Sequence, residues 1–293
     1  LSFLVLLMMG VPVAWCIATS SMFTLMVAMP FSAAATTVSQ RIATGLDSFA
    51  LLAIPFFILS GQIMSKGGIA HRLISFAKTL VGFLPGGLAL INIVSAMLMG
   101  AIAGSAMASA SAMGTILGPE MEKEGYSKEF GAAVNITSST TGLVIPPSNT
   151  LIVYSLASGG VSIAALFLAG YIPGILTGLL MMIVAMIWAK KNNYPVGKRA
   201  TLKEVFVAFI DAFPSLLLLV IVIGGIIGGV FTATEASAVA VIYTVLLSFY
   251  YKELSMNDLP KVILESVETT AIVMLLIGAS MCMSWVLSYE NIP

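Results

Sequence analysis

Apolar runs joined by short polar links fill almost the whole chain, and one run is interrupted at its middle by polar residues. The runs at 13–29, 48–63, 161–189, 214–230, 236–251 and 262–287 predict membrane-spanning helices, and residues 1–9 read as the end of another. Two stretches show amphipathic spacing instead. Ile69, Leu73, Phe76, Leu80 and Leu84 fall on one helical face, opposite Arg72, Ser75, Lys78 and Thr79. Leu202, Val205, Phe206, Phe209 and Phe213 form a second stripe. Such helices suit the membrane interface or a plain connector. Residues 31–46 are small and polar and predict a connection or surface segment, with Asp47 placed to cap the next helix.

Residues 87–124 run through an apolar limb, a Gly/Ser/Ala tip at 100–114 and a charged end. Neither limb reaches the ~20 residues of a comfortable crossing, so the segment predicts a re-entrant hairpin. Two packed helices with small-residue contacts are the alternative. Residues 129–158 predict a broken helix. Its middle, 135–150, reads NITSSTTGLVIPPSNT and is crowded with hydroxyl and amide side chains. Pro146 and Pro147 cannot donate to the carbonyls of Gly142 and Leu143, so the helix must open there. Irregular polar backbone at membrane depth survives only where protein covers it or it lines a cavity. In secondary transporters such half-helix ends hold ions and anionic substrates.

Composition sharpens this picture. Of 293 residues, 59% are hydrophobic and 9% charged, the mean hydropathy is +1.06 and the formal net charge is zero. Soluble domains carry about 25% charged residues, so the chain is an all-α polytopic membrane protein with the lipid bilayer as its partner. The absence of net positive charge argues against nucleic acid. Cys16 and Cys282 sit in apolar runs as small hydrophobes. His71 is the lone histidine, which speaks against histidine metal sites and Ser–His–Asp catalysis. The spans also lack the Asp, His and Lys of a membrane transferase, so no enzyme and no organic cofactor is expected. Both ends lie in or beside apolar runs, and the chain reads as a fragment of a longer one.

Basic residues support a topology. With Lys66, Arg72 and Lys78 in the cytoplasm, a re-entrant hairpin returns the chain to that side at Lys123 and Lys128. Later crossings put Lys190, Lys191, Lys198, Arg199, Lys203 and Lys252 there too. Two full crossings in place of the hairpin give the same parity. A weak internal echo accompanies this. Gly10-Val11 matches Gly229-Val230, and Ser48, Ala53 and Ile54 match Ser266, Ala271 and Ile272. An odd number of crossings separates the copies, so they would be inverted repeats.

Candidate chemistry follows from the tip and the break. Ser105, Ser109 and Ser111 at the tip, and Ser138, Ser139, Thr140, Ser148, Asn149 and Thr150 at the break, supply neutral oxygens, as do the freed carbonyls. Hard oxygens with no central carboxylate favour a monovalent ion, Na⁺, over Ca²⁺. Freed N–H groups near 148–150 favour an anionic substrate group. Glu235, between two spans, reads as the first-turn charge of a helix capped near Thr232 and Thr234. A channel is a competing class, but no charge ring or repeated filter is visible.

Several motifs together are similar to those of one family. They are LAIPFF at 52–57 with Gly61, LPGG at 84–87, GAIAGS at 100–105, SST at 138–140 leading to PPS at 146–148, and GVFTATEA at 229–236. The chain resembles the large membrane subunit, the M or DctM-like subunit, of a tripartite ATP-independent periplasmic (TRAP) transporter of the ion-transporter superfamily. The resemblance implies an inverted-repeat elevator transporter that takes up an organic acid anion with Na⁺. The acid would be sialic acid, a C4-dicarboxylate or a sugar acid, delivered by a periplasmic substrate-binding protein. A small membrane subunit would sit beside the scaffold, in the bacterial inner membrane. A stand-alone Na⁺/carboxylate carrier of the same superfamily is the alternative.

Carried over by position, Ser105, Pro146 and Ser148 fall to a first Na⁺ site, with Ser138 and Ser139 assigned to the same ion. Asn149, Thr150, Thr140 and Ser109 fall to the substrate. The triplet 148–150 also resembles the ion-binding triplet of related dicarboxylate carriers. The expected segments are scaffold helices at 1–65, an interfacial arm at 66–86 and a transport domain at 87–158, with its hairpin at 87–124 and broken helix at 129–158. A span with a basic loop follows at 161–201, and the start of the second repeat at 202–293. The second hairpin would lie beyond the last residue.

Overall fold

The computed structural model describes residues 2–291. They are helical almost throughout, and the one β-type pairing among them is an isolated bridge between Pro85 and Val196. Five of the described helices are long and apolar enough to cross a membrane: Phe49–Lys66, Ile163–Lys191, Leu202–Ile227, Ala233–Tyr250 and Leu259–Tyr289. Two compact units emerge, Leu1–Leu52 with Val267–Pro293, and Ala53–Ser266. The division cuts inside the stretch 1–65 and inside the last long helix.

The first unit holds α1 (Ser2–Met8), α2 (Val13–Ala28), α3 (Phe31–Leu46), a 3-10 turn (Phe49–Leu52) and the later part of the helix Leu259–Tyr289. Between α1 and α2 the chain turns at Gly10, whose φ of +80° is the left-handed region that glycine enters without a Cβ penalty. Residues 31–46, expected as a connection, form a complete helix. Ala34, Val38 and Ile42 recur every four residues and pack with Leu25, Cys282 and Val286. Asp47, expected to cap the following helix, instead terminates α3, because the 3-10 turn intervenes. Both cysteines are buried and free.

The second unit carries the rest: α4 (Ala53–Lys66), α5 (Ile69–Val81), α6 (Gly87–Ala103), α7 (Ala106–Lys123), α8 (Lys128–Ser139), a 3-10 turn (Thr140–Leu143), α9 (Asn149–Ala157), α10 (Ile163–Lys191), α11 (Leu202–Ile227), α12 (Ala233–Tyr250) and the start of α13 (Leu259–Tyr289). At its centre is α6. Almost every residue of it is buried, among α5, α7, α8 and α10. α4 packs along α12, and the contact continues into Ile63, Leu254 and Val262. Lys66 forms an ion pair with Glu265.

Helix α5 buries Ile69, Ala70, Leu73, Ile74 and Ala77, so the predicted stripe holds for two turns and then turns outward at Leu80. Arg72 anchors it: its side chain lies 3.3 Å from the Asp211 carboxylate and 3.5 Å from the Tyr251 ring centroid, and Nη1 donates to the Gly68 carbonyl at 3.0 Å. Replacing Arg72 with Met keeps the stem and removes the charge. We expect it to lower the melting point of the permease by a few degrees, from on the order of 1–2 kcal/mol of lost cation–π and ionic contact. A differential thermal scan in detergent measures this.

Pro214, which the hydrophobic pattern places at the start of a new span, lies inside α11. The carbonyl left without its helical donor by the missing N–H is that of Ile210, and hydroxyls from α12 and its end reach two neighbouring carbonyls. Tyr243 donates to the Pro214 carbonyl at 2.7 Å and Tyr251 to that of Asp211 at 3.3 Å. α12 begins with a capping box. Thr232 Oγ1 accepts from the Glu235 N–H at 3.3 Å, and the Glu235 carboxylate accepts from the Thr232 N–H at 2.8 Å. The expected capping role of Glu235 is thus what the structure contains.

Candidate functional site at the hairpin tip and the helix break

The segment 87–123 folds as two helices joined at Gly104-Ser105. Gly104 sits at φ +60°, and Ser105 is extended and caps α7, its Oγ accepting from the Ala108 N–H at 3.3 Å. The broken helix ends its first half in the 3-10 turn, where the N–H groups of Val144 and Ile145 both reach the Thr141 carbonyl. Pro146 and Pro147, joined by a cis peptide bond, follow. Ser148 then caps α9 with nearly the geometry of Ser105. Its Oγ accepts from the Leu151 N–H at 3.4 Å and donates to the Leu143 carbonyl at 2.5 Å. One of the two carbonyls that the prolines strand is therefore paired by the serine that follows them.

Tip and break are in direct contact. The Asn149 N–H donates to the Gly104 carbonyl at 3.3 Å. A Cβ on Gly100 would stand 2.4 Å from Gly142 Cα, so these helices meet backbone to backbone. The N-termini of α7 and α9 and the C-termini of α6 and the 3-10 turn thus come together. Positive ends favour an anion and negative ends a cation.

The other predicted residues fall in three groups. Ser109, Ser138 and Ser139 are buried; their hydroxyls donate to the Ala96 carbonyl (3.3 Å), Asn92 Oδ1 (3.0 Å) and the Asn135 carbonyl (2.7 Å). Each keeps oxygen lone pairs for a ligand. Pro146 is buried at the break, and Asn149 Oδ1 is buried with no donor among the described residues. Thr140 and Thr150 are exposed, and the Thr140 hydroxyl donates back to the Thr137 carbonyl at 2.6 Å. The oxygens on offer are all neutral, a donor set that fits a monovalent hard cation.

Three features escape a reading of the sequence. Asn92 is an amide alone in an apolar limb, and its burial opposite Ser138 ties α6 to α8. Its polarity within a membrane run is the available signal. Asn135 Nδ2 ties α8 to the Ala110 carbonyl of α7 at 2.9 Å. Gly170 and Gly174 on α10 let that span lie against the break. Cβ atoms there would meet the Val144 carbonyl at 2.5 Å and Ile145 Cγ1 at 2.4 Å. Their four-residue spacing is the small-residue pattern of close helix contact.

Residues 1–293 match the family described as "Tripartite ATP-independent periplasmic transporter, DctM component". The chain is 54% identical over 292 residues to the "Uncharacterized protein YgiK" of Salmonella typhimurium, covering 100% of this chain and 67% of that one. It is 36% identical to the C4-dicarboxylate TRAP transporter large permease protein DctM of Rhodobacter capsulatus, over 88% of this chain and 62% of that protein. To the sialic acid TRAP transporter large permease protein SiaM of Vibrio cholerae it is 37% identical, over 87% and 60%. The chain belongs to the DctM family of TRAP transporter large permeases. With its five apolar helices it is a multi-pass protein of the bacterial inner membrane, in a family of transport proteins and not enzymes. It spans 60% to 67% of the length of these three relatives.

Proposed function

We propose that the chain supplies the first hairpin and the first broken helix of a Na⁺-coupled TRAP permease. The permease takes up an organic acid anion by an elevator movement. The observation that carries this is the pairing of two serine-capped half-helices, α7 at Ser105 and α9 at Ser148, held by the Asn149–Gly104 hydrogen bond. Na⁺ is bound among the oxygens of Ser105, Ser138, Ser139, Pro146 and Ser148. The substrate carboxylate lies beside it, against Asn149, Thr150, Thr140 and Ser109. No lysine or arginine occupies the tip or the break, so helix ends and hydroxyls carry the anion here.

Substrates of the relatives include a C4-dicarboxylate and sialic acid, and an acid of that kind is the expected cargo. Delivery by a periplasmic binding protein and a small membrane subunit beside the scaffold belong to the same reading. An inverted repeat is favoured by two observations. Gly10 and Gly229, equivalent in the sequence echo, both have positive φ, at +80° and +70°. Each compact unit also packs one copy against the other: α2 and α3 with the end of α13, and α4 with α12. The hairpin re-enters the membrane on the cytoplasmic side, where the basic residues gather.

The Ser148→Ala permease tests the ion assignment. It loses both the α9 cap and the donor to Leu143, worth ~1 kcal/mol for the cap alone. The Na⁺ concentration for half-maximal uptake should rise about fivefold or more, with substrate recognition by the binding protein untouched. Unchanged Na⁺ affinity removes Ser148 from the ion site.

A further inference from the structure

We infer that the groove between α8 and α10 holds one anionic phospholipid of the cytoplasmic leaflet. The groove is an open cavity of about 450 Å³ whose walls include Phe130, Val134 and Thr137 of α8 and Thr177, Met181 and Val184 of α10. Its lining is aliphatic or aromatic except for two threonines. From Thr177 to Ala185 the α10 wall is roughly 12 Å long at 1.5 Å per residue. One leaflet of hydrocarbon is about 15 Å deep, half of the ~30 Å core. The groove therefore covers most of the depth of one leaflet.

The end of the groove carries the features of a headgroup site. Phe130 stacks on Trp188 with centroids 6.2 Å apart, and Tyr194 lies 5.5 Å from Phe130 and 4.3 Å from Tyr126. Such clusters mark the level of the headgroups. Beyond them the chain turns basic. Lys190, Lys191, Lys198, Arg199 and Lys203 occur between 190 and 203 with no acidic residue among them. Lys191 continues the series Thr177, Met181, Val184 and Trp188 at helical spacing. Lys190 and Lys191 are exposed, and basic side chains between transmembrane helices on the cytoplasmic side attract anionic headgroups. Lys128 on the α8 side is engaged by Glu122 at 3.5 Å, which leaves Lys191 as the α10 headgroup contact. This inference rests on the membrane setting and not on the ion or substrate reading.

Native mass spectrometry of the full-length permease, delipidated and then titrated with phosphatidylglycerol or phosphatidylcholine of equal chain length, tests it. Wild type should retain one phosphatidylglycerol well above phosphatidylcholine. Lys191→Gln should reduce that preference by about fivefold, which is the 1 kcal/mol per basic residue near a membrane surface. Val184→Trp, which fills the groove and leaves the lysines, should reduce retention of both lipids. Lys252→Gln with Lys261→Gln, a basic pair outside the groove, should leave the preference intact. Equal retention of the two lipids by wild type would mean annular lipid only and would overturn the inference. So would a preference that survives both groove variants, or one lost equally in the control pair.

Discussion

Gly100→Ala should reduce uptake by the complete permease at least a hundredfold while leaving it inserted and folded. The added methyl would stand 2.4 Å from Gly142 Cα and 2.9 Å from Gly142 N, and neither atom can move without moving the break. The reciprocal contact is equally tight, since a Cβ on Gly142 would lie 2.9 Å from Gly100 Cα. Overpacking of this kind costs about 1–3 kcal/mol, a cost a large membrane chain can absorb. Displacement of the tip by about 1 Å, however, separates the two serine caps whose shared geometry the site depends on, and misplacements of that size cost on the order of 10²-fold. Initial rates of substrate uptake, with a size-exclusion profile of the same protein, check both halves of the expectation. Wild-type rates in Gly100→Ala would mean that tip and break need not touch during transport.

Gly170→Leu should be comparably severe, for a different reason. A Cβ there meets the Val144 carbonyl at 2.5 Å and Leu151 Cδ1 at 3.1 Å, so a larger side chain levers α10 away from the unwound backbone. That carbonyl belongs to the irregular stretch that lacks helical partners, and membrane depth tolerates such backbone only under cover. Uptake should fall by about two orders of magnitude, and the melting temperature should fall as well. Gly174→Ala is the graded comparison. Its nearest neighbour is Ile145 Cγ1 at 2.4 Å, with the Ile145 backbone N farther off at 3.3 Å, and a methyl is smaller than a leucine, so a several-fold loss is expected. Gly224→Ala is the control. A methyl there, on α11, would meet no atom within 4 Å, so the substitution should be neutral or stabilising by about 0.5–1 kcal/mol. A ranking of Gly170→Leu, then Gly174→Ala, then Gly224→Ala in thermal stability and uptake is the measurable outcome.

The parts of this protein that are legible in its sequence are those governed by local chemistry. Two prolines after a polar run require an opened helix, and the break lies there. A Gly/Ser/Ala tip between two short apolar limbs predicts a reversal of the chain, and two helices joined at Gly104-Ser105 lie there. Thr232 and Glu235 stand three residues apart and make the capping box. What stays hidden depends on partners far along the chain. α3 is short of apolar residues, and its helical face is revealed only by the residues near 282 and 286 that cover it. α11 runs on through Pro214, and the tyrosines that bond the Pro214 and Asp211 carbonyls come from positions 243 and 251. Ser138 belongs to the break by sequence, whereas its hydroxyl turns toward Asn92, an amide 46 positions earlier. The contact between Gly100 and Gly142 has no side chain to announce it. Small residues report closeness only after the partner is known.

Na⁺ acting at the tip and the break to drive an organic acid inward is the central claim. Uptake into proteoliposomes containing the complete permease and its small membrane subunit, with a loaded binding protein outside, tests it most directly. The expected result is accumulation above the external concentration when an inward Na⁺ gradient is imposed, none when K⁺ replaces Na⁺, and a higher Na⁺ requirement in Ser148→Ala. Accumulation that ignores the Na⁺ gradient, or flux that only equilibrates, would contradict it.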